Sequence, residues 1–226
     1  MPKSTRETSN TMAVPANPKI YHITHVKNLS SIIADGVLWS DRQRLDRAVD
    51  PTIVGIEGIK KRRLEELEVK CHPGTKVGEY VPFYLCPRSV MLYVIFRHNH
   101  PDITYAEGQG PVLHLQADLR EVVAWANAND HAWAFSDRNA GAYVASFFND
   151  IGRIGDLNWD AIQSNNFRDQ PIVKEGKQAE FLLYDSFPWE LVEHIGVHNA
   201  GIEAQVRKAL NGVARPTVRV EPTWYY

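Results

Sequence analysis

The sequence predicts an α+β domain. Three observations carry this. Short strand-like runs rich in β-branched and aromatic residues recur along the chain. Short helix-like runs, several with cap residues, lie among them. No regular strand–helix–strand rhythm links the two kinds, which argues against a doubly wound sheet. At roughly 100–200 residues per domain, 226 residues fit one large domain or two small ones. The absence of a long internal linker favours a single domain over residues 18–226. Residues 1–17 are polar, lack an apolar period and read as a loose tail.

Taken in order, Ile20–Thr24 alternates as a strand, and Asn28 stands where a helix cap belongs. Leu29, Ile32 and Ile33 follow at helical spacing, with Gly36 as the stop. Residues 41–54 carry little apolar period and read as a loop. Ile56, Ile59, Leu64 and Leu67 then form one helical stripe, and Arg63 falls within it. Tyr80–Leu85 reads as a strand broken at Pro87, and Ser89 can cap an apolar helix over Val90–Phe96. Pro111–Leu115 is a strand with His114 interleaved. Ser136–Asn139 reads as the start of a helix whose core face is Ala140, Val144, Phe147, Phe148 and Ile151. A short helix in 156–167 turns Trp159 and Ile162 inward. Residues 168–177 form a polar connection into a strand over 178–184, and His194–Val197 and Val218–Val220 complete the strands.

Composition excludes several classes. With 25 Lys and Arg against 27 Asp and Glu, the chain lacks the basic balance of a general duplex binder, so a nucleic-acid contact must be local. Two cysteines make no disulfide framework, and the sequence shows no secretory leader, which points to the cytoplasm. No apolar run reaches the roughly 18–20 residues needed to cross a bilayer. Neither His98-Asn99-His100 nor Cys71-His72 builds a zinc ligand set; both read as loop residues, and no metal is expected. Glycine-rich phosphate loops and the Gly-x-Ser-x-Gly elbow are absent.

Four features remain. His22 sits on a strand with apolar alternate positions, either facing a cleft or satisfied in the core. Arg63 is either a snorkelling side chain or a cation facing a cleft. Glu180 shares a strand face with Leu182 and Tyr184, opposite Ala179, Phe181 and Leu183; it is either an edge-strand guard or a carboxylate on a pocket floor. Trp224-Tyr225-Tyr226 suggests a chain end that docks on the body.

Tyr21-His22-Ile23-Thr24-His25, Val81-Pro82-Phe83-Tyr84, Cys86-Pro87-Arg88-Ser89, Met91-Leu92-Tyr93, Gln178-Ala179-Glu180-Phe181-Leu182 and the terminal Trp224-Tyr225-Tyr226, in this order, resemble the DarT family. The likeness runs from about Ile20 to the last residue. It implies an ADP-ribosyltransferase-like fold, with two small mixed β-sheets around an NAD cleft and short peripheral helices. It implies a toxin that transfers ADP-ribose from NAD to a base in single-stranded DNA. Thymine is the leading acceptor; guanine, RNA or protein are the alternatives, and a non-enzymatic interaction domain is a further one. The implied partner is an antitoxin with an ADP-ribose-removing macrodomain. By position, Glu180 matches the catalytic glutamate and Arg63 the essential arginine, with Arg62 an adjacent competitor. His22, Thr24, Tyr84 and Met91 match the NAD site, and Arg88 is expected near the phosphates or the incoming strand. Lys174, Arg168 and Arg62 are the expected DNA contacts, in or near the loop 165–177 that reads the target nucleotide.

Overall fold

The computed structural model describes residues 13–49, 51–212 and 215–226. Most of the expected N-terminal tail lies outside the described residues; within the remainder, Val14 packs on the main core. In chain order the elements are β1 (Lys19–His25), α1 (Leu29–Asp35), β2 (Val37–Trp39), α2 (Asp41–Asp46), α3 (Glu57–Glu65), β3 (Tyr80–Tyr84), α4 (Val90–Arg97), β4 (Val112–Asp118), α5 (Leu119–Ala128), β5 (Trp133–Ser136), β6 (Phe147–Phe148), α6 (Trp159–Gln163), α7 (Pro171–Gly176), β7 (Glu180–Tyr184), β8 (Ser186–Pro188), β9 (His194–Val197), α8 (Ala200–Leu210) and β10 (Thr217–Val220).

Two sheets of unequal size result. Eight strands run in the order β10-β9-β4-β1-β3-β7-β5-β6, and β2 pairs with β8 in a ribbon. The large sheet is itself divided. β1 is zipped to β4 along its whole length, yet it registers with β3 at Tyr21 opposite Tyr84 alone. Pro82 has no N–H to offer a ladder. Its carbonyl accepts a hydrogen bond from His22 Nδ1 at 2.8 Å, side chain taking the place of backbone. The sheet opens at this seam, and the functional cleft lies there.

The main core joins β1, β3, β4 and β7 through Ile20, Phe83, Leu115 and Phe181, with α5 and α8 packed on it. A second cluster ties α4 (Leu92, Ile95) to Ile56 and Tyr225, and a third holds Leu67, Tyr80 and Leu182. The docked chain end is real. Tyr225 Oη donates to the carbonyls of Val112 and Gly196, and Gln109 bonds the Tyr226 backbone. Trp224 lies so close over Gly196 that a Cβ there would stand 2.4 Å from the indole.

Several local expectations are corrected. The loop over 41–54 contains α2, because Ser40 Oγ accepts from Gln43 N and caps it. The helix expected from Ser136 does not form. Ser136 Oγ donates to Arg138 O, Asn139 Oδ1 accepts from Gly141 N, and Asp137 Oδ1 accepts from Ser146 N. These side-chain bonds offer the backbone an alternative to helix, so β5 turns back as β6 and Val144 is left 70% exposed. The connection over 168–177 includes α7, with Pro171 at its first turn. Asn28 precedes α1 as expected but makes no cap bond; its amide serves the cleft instead. The Ile56–Leu67 stripe splits between two clusters, leaving Arg63 at the gap.

Candidate active site

The cleft has a volume of about 330 Å³ and takes residues from β1, the loop before α3, α3, β3, α4 and the segment before β7. Glu180 opens β7, which lies between β3 and β5, so the edge-strand reading is excluded. It stands directly across from Tyr84. Ala179, Phe181 and Leu183 face the main core while Leu182 joins the opposite cluster, as alternation requires.

Arg63 reaches Glu180 in a two-point fork: Nη1 to Oε1 at 3.1 Å and Nη2 to Oε2 at 2.9 Å. The side chains are 11% and 3% exposed, so the snorkelling reading fails. Glu180 Oε1 also accepts from the backbone N–H of Ala140 at 3.0 Å, and Glu180 N donates to Ser136 Oγ. Burial opposes the Arg63 charge, but Glu180's charge and hydrogen bonds outweigh it and raise the guanidinium pKa. Burial, then the Glu180 charge, push the Tyr84 hydroxyl above its ordinary range, so Tyr84 is a neutral donor.

His22 also lines the cleft, and burial lowers its pKa to about 4 despite the Pro82 bond. Since Pro82 O can only accept, the neutral ring carries its proton on Nδ1 and leaves Nε2 as an acceptor. Thr24 Oγ1 accepts from Asn28 Nδ2 at 3.1 Å. That amide also clamps Thr52, donating to its carbonyl and accepting from its N–H. Beside these groups, Asp41 binds both Lys60 and Arg44. Burial draws the Asp41 carboxyl upward, but the two cations hold it below the usual range.

Of the residues singled out in the sequence, Glu180, Arg63, His22, Thr24, Tyr84, Met91 and Lys174 come together at this cleft. Arg62, Arg88 and Arg168 are not among its lining residues. Arg62 turns away, donating to Gly141 O at 2.7 Å with its guanidinium over the Tyr143 ring. Arg88 stacks on Tyr226, 4.3 Å from the ring centre. Arg168 is exposed just before α7. His98 is exposed as expected, but His100 is a correction: it lines the cleft.

Sequence reasoning missed Asn28, Asn139, Gln178 and the Asp41–Lys60–Arg44 group, all at the cleft. It also missed Lys177, which is 2% exposed and donates to Ile162 O and Cys86 Sγ. No apolar period marks such residues; a charged side chain before a buried glutamate was the one signal for Lys177. Among the described residues no group of three or more His, Cys, Asp or Glu gathers as a metal site, and no helix is long and apolar enough to cross a membrane.

A divided mixed sheet with a buried glutamate on an interior strand, bound to a helix-borne arginine beside the seam, fits the ADP-ribosyltransferase class that the resemblance implies. Comparison with known proteins specifies it further. The family model described as "ssDNA thymidine ADP-ribosyltransferase, DarT" matches residues 21–226. A DNA ADP-ribosyl transferase of Thermus aquaticus is 40% identical over 219 residues, covering 95% of this chain and 92% of the relative. That of Thermus sp. (strain 2.9) is 36% identical over 215 residues, covering 94% and 98%. Among solved structures, Thermus sp. 2.9 DarT in complex with ADP-ribosylated ssDNA superposes with a TM-score of 0.84 at 33% identity, covering 96% of this chain and all of that one. The same enzyme in complex with NAD+ gives 0.81 at 33% identity, covering 94% and 99%. The chain belongs to the DarT family and is an NAD-dependent ADP-ribosyltransferase of single-stranded DNA.

Proposed function

We propose that this protein transfers ADP-ribose from NAD to thymine in single-stranded DNA and releases nicotinamide, with Glu180 and Arg63 as its catalytic pair. The observation that carries the reading is the two-point Arg63–Glu180 contact at the seam. Breaking the nicotinamide–ribose bond develops positive charge on the ribose. The Glu180 carboxylate, held in place by Arg63 and Ala140 N–H, stabilises that charge without reorganising at the moment of reaction. Arg63 keeps its proton and therefore orients rather than abstracts, and the proton that the thymine N–H gives up as its nitrogen bonds the ribose passes to the Glu180 carboxylate. His22 Nε2 accepts from a ribose hydroxyl, the Thr24 hydroxyl donates beside it, and Tyr84 and Met91 flank the nicotinamide. The cations Arg44 and Lys60, half-neutralised by Asp41, give the cleft the charge a pyrophosphate needs. Arg88 supports the cleft wall from behind.

The acceptor strand enters past Asn139 and α7, where Lys174 and Arg168 meet its phosphates; Arg62 acts through the loop it holds. The catalytic domain comprises residues 18–226. The protein works in the cytoplasm as the toxin of a toxin–antitoxin pair whose antitoxin carries an ADP-ribose-removing macrodomain. In support, the DarTG protein of Thermosipho africanus shares this fold over half its length. The test is incubation with NAD and separate pools of single-stranded DNA, RNA and protein. Label is expected on DNA; label on protein alone ends the reading.

A further inference from the structure

We propose that Tyr143 is a stacking platform for the nucleobase next to the acceptor, and so a determinant of strand affinity. The inference rests on the single-stranded DNA reading above and deepens it. Tyr143 is 65% exposed although large and aromatic. It is nonetheless held in place. Its hydroxyl donates to Glu66 Oε2 at 2.6 Å, and the Arg62 guanidinium lies 5.5 Å from the ring centre. Lys70 Nζ donates to the carbonyls of Tyr143 and Ala145, and Arg62 to that of Gly141. A ring fixed at this cost and left unburied gains nothing for the core.

Its position gives the fixation a use. Ala140, three residues earlier on the same loop, donates its N–H to Glu180. Three residues span at most about 11 Å, so the Tyr143 backbone lies within that reach of the Ala140 N–H, while the ring stands outside the cleft lining on the Arg62–Glu66 flank of α3. Asn139, beside Ala140, lines the cleft and bonds Gln178, and Arg138 binds Glu175 of α7. The loop and α7 are thus joined into one rim beside the cleft, with Lys174 on its α7 side. Flat aromatic faces beside a few cations bind single strands by stacking, which is tolerant of sequence and needs no broad basic surface. Arg62, expected to touch DNA directly, here backs the platform.

The test compares Tyr143→Ala and Tyr143→Phe on a short strand with one thymine, and on the same strand with an abasic site on either side of it. For Tyr143→Ala the KM for DNA is expected to rise roughly 5- to 150-fold, with NAD affinity held; Tyr143→Phe stays near the parent. In the parent, one of the abasic strands suffers a similar loss, and Tyr143→Ala erases that difference. Tyr143→Leu, without a flat face, replaces the Ala variant if that one does not fold. An unchanged KM in the folded variant, or an abasic penalty of equal size with and without Tyr143, overturns the platform. A parent protein that modifies no DNA at all overturns the acceptor reading instead.

Discussion

The floor and the mouth of the cleft are built on opposite plans. At the floor, Arg63 and Glu180 are buried, bonded at two points and fixed to the backbone at Ala140 and Ser136. At the mouth, Tyr143, Ile172 and Lys174 are exposed, on a turn and a one-and-a-half-turn helix. A site that must stabilise charge at one point gains from rigidity and low dielectric. A site that must receive a flexible strand gains from exposed stacking faces and single cations. The proposed function therefore assigns bond breaking to the buried Arg63–Glu180 floor and strand reception to the segments hung from the sheet.

The largest effects are expected at the floor. Glu180→Gln keeps the side-chain volume and an oxygen for Ala140 N–H, and should fold while transfer falls at least a hundredfold, by the scale of losing one preorganised charge-stabilising group. Glu180→Ala is the less selective change. It strands a buried guanidinium. Losses of about 3–5 kcal/mol accompany such breakage, and thermal unfolding of the two variants side by side distinguishes the cases. Arg63→Ala is expected to be as costly to stability, to abolish transfer and to retain part of the NAD affinity, measured by titration. Arg62→Ala should spare stability at the floor and act on DNA affinity through the Tyr143 loop.

Next in size is a pH effect. Burial lowers the pKa of His22 and of His114 to about 4, against about 6.5 in the unfolded chain. Between those values the unfolded state holds more protons, so stability is full above about pH 6.5 and declines as pH falls towards 4, by roughly 3 kcal/mol for each histidine. Melting temperature measured from pH 7 to pH 4.5 should drop steadily. A flat profile would mean that neither ring is buried neutral. The smallest effect belongs to the mouth. Lys174→Ala or Arg168→Ala should weaken DNA binding modestly and lower the salt slope of affinity by roughly 0.7 for each phosphate left without its cation.

What could be read from the sequence follows the same division. The floor was legible because strand alternation and helical angle assign a side even to a charged residue. Glu180 alternates with Ala179 and Phe181, and Arg63 falls on a stripe of Ile and Leu; this marked both as candidates while leaving an edge-strand guard and a snorkelling cation open, and the structure decides by joining them. α5 and α8 were not read from the sequence, although Asp118 and Asn199 cap them. The segments at the mouth were misread. Ser136, Asp137 and Asn139 look like a helix start, and only the fold shows that their side chains close turns around Glu180. Lys177 and the Asp41–Lys60–Arg44 group were invisible, since a polar residue gains its role from what tertiary structure brings beside it.

The most direct measurement is mass spectrometry, to nucleotide resolution, of a synthetic single strand after incubation with NAD and either the parent protein or Glu180→Gln. The expected result is one ADP-ribose on a thymine base with the parent and none with the variant. Undiminished modification by Glu180→Gln, or a parent that leaves every base unmodified, contradicts the central role given to the Arg63–Glu180 pair.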